Sequence, residues 1–290
     1  MRRCARKLTL PDGMRVSIMS PAPTSYWREA HGRVIELAPG ERLSVGDLYL
    51  STSQLEIVVQ LNEVAEIAEL DALFRFRGCD PLDDKGMALL SRLQGLESLR
   101  IDSLRDVTDR GFRLLKHLPH LRRLELAGFK KVTPAGWSVI PTIRTLEELV
   151  FYRTPSLTAA DILGLSSLPR LRVLELEKLP DCALVSLASC PALEDLSVSK
   201  SGVRLLLGSL SGAQKLRRLG LRRCWGLDSS SLSELCNSSD LEELEFDGCP
   251  LLTDAALSKL ASMPRLKKLT LEDCGAVRGE FLAAFHNHGS

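Results

Sequence analysis

No run of about twenty uninterrupted apolar residues occurs in this 290-residue chain, so the sequence offers no membrane span. Its first residues also lack the apolar centre of a secretory signal. Excess charge of either sign is absent, because 38 Lys and Arg stand against 37 Asp and Glu, and that balance exerts no global pull toward nucleic acid or an anionic membrane. Motifs that carry chemistry are missing as well. There is no Walker A loop and no G-x-G-x-x-G, and Gly208-Ser-Leu-Ser-Gly212 has Leu210 where a nucleophile elbow needs Ser. The histidines His31, His117, His120, His286 and His288 are not paired with a nucleophile and an orienting acid. The eight cysteines include no C-x-x-C pair and no His at ligand spacing, and His286-x-His288 reads as a solvated tail. The expectation is a protein that is not an enzyme, with no catalytic residue, no cofactor and no metal.

What is present is one phrase, repeated. Leu216-Arg-Arg-Leu219-Gly-Leu221-Arg-Arg-Cys224, Leu241-Glu-Glu-Leu244-Glu-Phe246-Asp-Gly-Cys249 and Leu266-Lys-Lys-Leu269-Thr-Leu271-Glu-Asp-Cys274 all fit L-x-x-L-x-L-x-x-C. The phrase also begins at Leu96, Leu121, Leu146, Leu171 and Leu193, with steps of 25, 25, 25, 22, 23, 25 and 25 from Leu96 onward. A ninth copy is placed at Asp71, with Phe74, Phe76 and Cys79 in register, and a tenth at Val45, with Leu48, Leu50 and Ser53. Such a period implies a leucine-rich-repeat solenoid, whose units cannot bury an apolar face alone and must stack.

Each unit reads as strand, turn and helix. Alternation such as Leu241, Leu244 and Phe246 makes a strand with one buried face. The segment after it, Leu252-Thr-Asp-Ala-Ala-Leu257 through Pro264, changes to helical spacing, with Thr253 or Asp254 as a cap. The expected fold is therefore α/β, a horseshoe with a parallel concave sheet and convex helices. The 22- and 23-residue units at Leu171 and Leu193 leave room for less helix, a single 3₁₀ turn. Residues 1–32 are expected to be a basic, Pro-containing tail, 33–70 an N-terminal cap and degenerate repeat, 71–285 the repeats with a C-terminal half-repeat cap, and 286–290 a tail. Cys224, Cys249 and Cys274 share one repeat position and are expected to stack as buried thiols.

The Cys that closes the phrase, the Leu/Val-Thr-Asp turn and the unit of about 25 residues resemble the cysteine-containing class of leucine-rich repeats, known from the substrate-binding arrays of F-box proteins and related repeat-only adaptors. The resemblance covers most of the chain and implies target recognition. An F-box is not part of it, since residues 1–44 contain Pro11, Pro21, Pro23 and Pro39 and show no three-helix pattern. Extracellular repeats of this kind usually carry Asn where this chain has Cys, with disulfide caps at the ends. Here only Asn62, Asn237 and Asn287 occur, so the expected location is cytoplasmic. The alternative is mitochondrial, from the basic opening Met1-Arg-Arg-Cys-Ala-Arg-Lys7, although Pro11-Asp12-Gly13 would break a presequence helix.

The second residue of the phrase alternates in sign without exception: Glu97, Arg122, Glu147, Arg172, Glu194, Arg217, Glu242 and Lys267. Neighbouring parallel strands lie only about 4.8 Å apart, so this pattern is expected to form a ladder of cross-strand ion pairs that avoids repulsion. Aromatics and Arg dominate binding hot spots. The expected contact residues on or beside the concave face are accordingly Tyr152, Arg153 and Val150, then Arg222, Arg223 and Trp225, with Arg75, Arg77 and Arg100 near the start. For Trp225 a lid over the stacked turns is the competing reading, and Trp137 is assigned to the core. The function expected is a protein-binding scaffold or adaptor, monomeric and without a membrane partner. The alternative is an RNA-binding or ribonucleoprotein-assembly factor using Arg75, Arg77, Arg100, Arg122, Arg123, Lys130 and Lys131.

Overall fold

The repeated alternation of apolar and polar residues becomes a repeated strand in the computed structural model, which describes residues 6–10, 15–20, 27–30, 34–38, 40–48, 52–64, 66–72, 82–153, 158–179, 183–201, 207–236 and 240–286. The chain forms two compact units, Met1–Leu146 and Glu147–Ser290.

The first unit contains β1 (Arg6–Thr9), β2 (Arg15–Met19), β3 (Trp27–Glu29), β4 (Val34–Leu37), β5 (Arg42–Leu48), β6 (Ile67–Ala72), β7 (Ser98–Ile101) and β8 (Arg123–Ala127). Strands β5 to β8 run parallel. Beyond β5 the sheet turns antiparallel through β2 and β3, while β1 and β4 make a separate antiparallel pair. The segment expected as a tail therefore holds three strands, and the cap extends well before residue 33. The reason is a period of two: Leu8 and Leu10 are buried with Lys7 and Thr9 exposed, and Val16 and Ile18 are buried beside the exposed Arg15. Each strand thus has one face to bury.

Register corrects a second expectation. Leu70 pairs with Leu99 and Ala72 with Ile101, and the Glu97 N–H donates to the Ala68 carbonyl. The phrase before Leu96 therefore begins at Ile67, and Val45, the register partner of Leu70, holds the fourth position of its strand rather than the first. The placements at Asp71 and Val45 are both out of register. A 13-residue helix, Thr52–Val64, separates β5 from β6, and the Asn62 side chain accepts from the Ile67 N–H at 3.0 Å. The residues Phe74, Phe76 and Cys79 on which the Asp71 placement leaned lie outside the described residues.

The second unit is more regular. Its strands are β9 (Glu148–Tyr152), β10 (Val173–Glu177), β11 (Asp195–Ser199), β12 (Arg218–Arg222), β13 (Glu243–Asp247) and β14 (Lys268–Glu272). They lie side by side in that order, all parallel. Leu149, Leu174, Leu196, Leu219, Leu244 and Leu269 form one register row, and Phe151, Leu176, Val198, Leu221, Phe246 and Leu271 another. Both rows are buried as far as Phe246 and half-buried on β14. The pleat sends the third and fifth positions of each phrase to the opposite face, which stays open.

Short helices stack behind each sheet. Among the described residues the Leu171 unit holds a short α-helix, Ala183–Leu187, in place of the expected 3₁₀ turn, and the Leu193 unit holds a 3₁₀ helix, Leu207–Gly212. Thr108, Thr133 and Thr253 cap their helices. The neighbouring Asp has a different task. Asp84 accepts from the Thr108 N–H at 2.8 Å and its hydroxyl at 2.6 Å, and Asp109 does the same for Thr133 at 2.7 and 2.6 Å. Asp254 accepts from the N–H groups of Arg278 and Phe281. One carboxylate thus ties the start of its own helix to the start of the next. Burial opposes the charge on Asp109, but the Thr133 hydroxyl and N–H outweigh it and hold the carboxyl below its usual range. Asp109→Ala is expected to cost about 1 kcal/mol, read as a lower urea midpoint, with the difference from wild type shrinking below about pH 4 as the wild-type carboxylate is protonated.

The thiols stack, with Cys224 and Cys249 buried as expected and Cys274 only half-buried. The Cys224 thiol donates to the Val198 carbonyl at 3.7 Å, Cys249 to Leu221 at 3.3 Å and Cys274 to Phe246 at 3.7 Å, in each case the sixth position of the preceding phrase. All three are free. Among the described residues no helix is long and apolar enough to cross a membrane.

Candidate protein-binding face

On the open face of the second unit the fifth positions are Val150, Glu175, Ser197, Gly220, Glu245 and Thr270. The smallest two are adjacent at the centre. A Cβ on Gly220 would lie 2.7 Å from Ser197 Oγ, so the glycine and the serine together leave room where neighbouring strands raise long charged side chains. The result is a shallow basin of about 290 Å³ floored by Ser197 and Gly220 and walled by Glu175, Asp195, Glu243, Glu245, Arg218, Arg222 and Lys268. A second depression, about 410 Å³, lies on the first unit between Ser44, Gly46, Glu69, Asp71, Arg100 and Glu125.

The walls are held by ion pairs. Arg222 sits between Glu245 at 2.8 Å and Glu175 at 3.3 Å, and Arg218 reaches Asp195 at 3.1 Å. The Glu245 hydrogen bond leads the causes that raise the Arg222 pKa above its usual value. Burial raises the Asp195 carboxyl, Arg218 draws it back, and Glu243 and Glu245 push it up again. The basin therefore concentrates four carboxylates and three cations in fixed positions. It is polar, with charge of both signs.

The expected contact residues fall into distinct settings. Trp225 is 52% exposed on the turn after Cys224, and its backbone N–H donates to the Ser201 carbonyl. Tyr152 is half-buried at the end of β9, and Arg153 and Arg223 are exposed. Val150 is only 6% exposed, a correction to its reading as a contact: it is short, and the longer Glu175 is its register neighbour. Arg222 is engaged by two carboxylates and shapes the basin wall. Arg100 lies on the first unit, 3.0 Å from Glu125 and 3.7 Å from Asp71. Arg75 and Arg77 lie outside the described residues. Trp137 is buried against Phe112 and Phe129, as expected for core. Of the alternative basic cluster, Arg123 is 3.7 Å from Glu125 and Lys131 is 2.6 Å from Asp106, while Lys130 is exposed.

The second-position ladder is formed by direct pairs at Arg172 with Glu194 (2.8 Å) and Lys267 with Glu242 (2.6 Å), whereas Arg217 turns to Asp240 at 3.4 Å.

Sequence reasoning missed the eighth position of the phrase. In the second unit it is Arg153, Lys178, Lys200, Arg223, Gly248 and Asp273, and every one has positive φ, between 50° and 61°. Gly128 takes this place in the first unit, with φ 76°. Such a backbone suits glycine and costs other residues roughly 1–2 kcal/mol. The turn is held in place. The N–H groups of Lys178, Lys200 and Arg223 donate to the carbonyls of Ser199, Arg222 and Asp247, each the seventh position of the next phrase. Arg153 donates instead to the Glu177 carboxylate at 2.8 Å, which also takes the Lys200 ammonium at 2.7 Å. Burial opposes ionisation of Glu177, yet the Lys200 and Arg153 bonds prevail and keep its pKa below the usual value. The signal was readable in the phrase, where Gly128 and Gly248 mark a left-handed position that Arg and Lys then occupy.

Solved structures resemble the chain in fold. A crystal structure of an internalin from Listeria monocytogenes matches with a TM-score of 0.52 and 16% identity, over 79% of this chain and 61% of that one. A leucine-rich-repeat protein of Leptospira interrogans matches with a TM-score of 0.51 and 17% identity, over 81% of this chain and 55% of that one. The fold is that of a leucine-rich-repeat protein. This chain thus spans about three fifths or less of those leucine-rich-repeat structures, and at such identity the likeness extends to the fold alone. No protein-family model matches the chain. Among curated proteins, the "Putative adenylate cyclase regulatory protein" of Trypanosoma equiperdum is 35% identical over 68 residues, which are 23% of this chain and 10% of that protein.

The thiols of Cys190, Cys224 and Cys249 are poor nucleophiles. Burial pushes Cys224 up to about 12 and Cys190 and Cys249 up to about 11, so little thiolate forms near neutrality. Among the described residues no group of three or more His, Cys, Asp or Glu side chains could hold a metal ion.

Proposed function

We propose that this chain is a non-enzymatic protein-binding scaffold or adaptor that recognises a folded protein through the open sheet face of its second unit and the adjoining turns. The observation that carries the reading is the basin over Ser197 and Gly220, where four carboxylates and three cations are fixed within one depression. Fixed charges of both signs select a partner by electrostatic complementarity. The exposed Trp225 adds a large apolar contact at the rim of this unit. A polyanion would meet Glu175, Glu243 and Glu245, which argues against nucleic acid on this face. The elevated thiol pKa values support a role without covalent catalysis. The repeats, as a stack on which outward residues vary while the phrase is retained, suit such a scaffold.

The test fills the basin without disturbing the strand. Ser197→Tyr places a ring over Gly220 at an outward, strand-compatible position. Affinity capture from the native cell type is expected to recover protein partners with the wild-type chain and to lose them with Ser197→Tyr or with Tyr152→Ala/Trp225→Ala, at unchanged circular dichroism. Partners retained by both variants but removed by nuclease would overturn the proposal.

A further inference from the structure

The eighth positions of four consecutive phrases present Arg153, Lys178, Lys200 and Arg223 along one edge of the second unit, at the C-terminal ends of β9 to β12. Nothing in the backbone asks for cations there. All four have φ of 50° to 56°, a conformation that glycine adopts without strain, as Gly248 does in the following phrase. Arg and Lys are therefore held in an unfavourable backbone, and their side chains are what distinguishes them from glycine. Hydrogen bonds of the N–H groups to the next phrase keep the turns in register. With neighbouring strands about 4.8 Å apart, the four cations span roughly 15 Å. Arg153, Lys178 and Arg223 are exposed, and Lys200 is anchored by Glu177.

Resting on the scaffold reading above, we infer that this row is a docking edge for a short, extended, acidic stretch of the protein partner. Two observations favour an acidic peptide over a nucleic acid. The row stops abruptly: the next phrases carry Asp247 with Gly248, then Glu272 with Asp273, so a continuous polyanion would run from cations onto carboxylates. The adjoining basin carries charge of both signs, which suits the mixed side chains in the remainder of a protein partner and not a uniformly negative nucleic acid. Tyr152 precedes the first cation and Trp225 follows the last by two residues, which frames the row with aromatic contacts.

Glycine makes a clean test, because it removes the charge and suits the backbone. The full chain is titrated with a fluorescein-labelled octaglutamate peptide and, separately, with an eight-nucleotide oligouridylate. Wild type is expected to bind octaglutamate saturably, more weakly as salt rises. Arg153→Gly/Lys178→Gly/Arg223→Gly should weaken that binding at least tenfold, with an unchanged or higher melting temperature. Removing three exposed cations elsewhere, Arg110→Ala/Lys116→Ala/Arg170→Ala, should change it less than twofold. Lys178→Glu alone should weaken it severalfold, a check independent of the triple variant. Octaglutamate affinity within twofold of wild type in the triple glycine variant, or no saturable binding by wild type, would sink the inference. If Ser197→Tyr still abolished partner capture, the scaffold reading would survive that failure. Tighter binding of oligouridylate than octaglutamate, lost in the same glycine variant, would overturn both.

Discussion

Phe112→Ala is expected to lower the unfolding free energy by about 3–5 kcal/mol, the usual cost of emptying a fully buried phenylalanine site. Phe112 has no exposed surface, and its ring meets Phe129 edge-on at 5.5 Å and Trp137 at 5.3 Å. Phe129 and Trp137 are themselves 5.1 Å apart, so the three rings close a cluster linking two successive phrases of the first unit. Aromatic pairs of this kind contribute about 0.5–1.5 kcal/mol beyond their buried area. Since a repeat is stabilised chiefly by its neighbours, the loss should appear across the first unit and not at one turn alone. Urea denaturation followed by tryptophan fluorescence measures it. A midpoint shift equivalent to less than 1 kcal/mol would show that the cluster is not a packing centre. Trp137→Phe, which keeps an aromatic ring, should cost much less than Trp137→Ala.

Glu177→Ala is expected to destabilise the second unit by about 1–3 kcal/mol at pH 7. The carboxylate is 7% exposed and holds two groups at once, the Arg153 N–H in its left-handed turn and the Lys200 ammonium. Removing it leaves that turn without its tie, and the strained Arg153 is then free to leave positive φ. Because the folded pKa is depressed, the stabilising contribution is present above the carboxyl's unfolded value, near 4.3, and is lost as pH falls through the folded value. The stability difference between wild type and Glu177→Gln should therefore be largest near neutrality and shrink below about pH 4. A difference that stays constant from pH 7 to pH 3 would mean that charge on Glu177 does not contribute. Lys200 is 38% exposed, so solvent screens part of its pairing and raised salt should reduce the difference.

Much of the fold was legible wherever a side chain's fate depends on its position in the phrase. Burial of the first, fourth and sixth positions, the parallel strands, the Thr caps and the stacked thiols all follow from one period, because every unit meets the same neighbours. Legibility failed where the period is broken. At β6 the strand is Ile67–Ala72, and the attractive Phe74 and Phe76 drew the reading four residues too far. In residues 6–37 the alternation was present but short, interrupted and lacking the repeat signature, so strands that extend the sheet read as a tail. Asp254 looked like a helix cap because the sequence shows only its own helix, whereas its partner, like those of Asp84 and Asp109, lies 24 residues on.

The candidate surface was less legible than the core, for a physical reason. An outward side chain is placed by its neighbours on adjacent strands and not by its own phrase. Val150 and Arg222 were both read correctly as facing outward, yet one is covered and the other is engaged by Glu175 and Glu245. Gly220 carried no signal at all, although its missing side chain opens the basin. By itself the sequence determined the repeat, its strand, turn and helix, and which residues are buried, since hydrophobic period is a local property that stacking only repeats. Tertiary structure alone decided which charges pair, where the open face dips, and that Arg153, Lys178, Lys200 and Arg223 stand in one row. Each of these depends on side chains about 25 residues apart being brought within a few ångströms by lateral register.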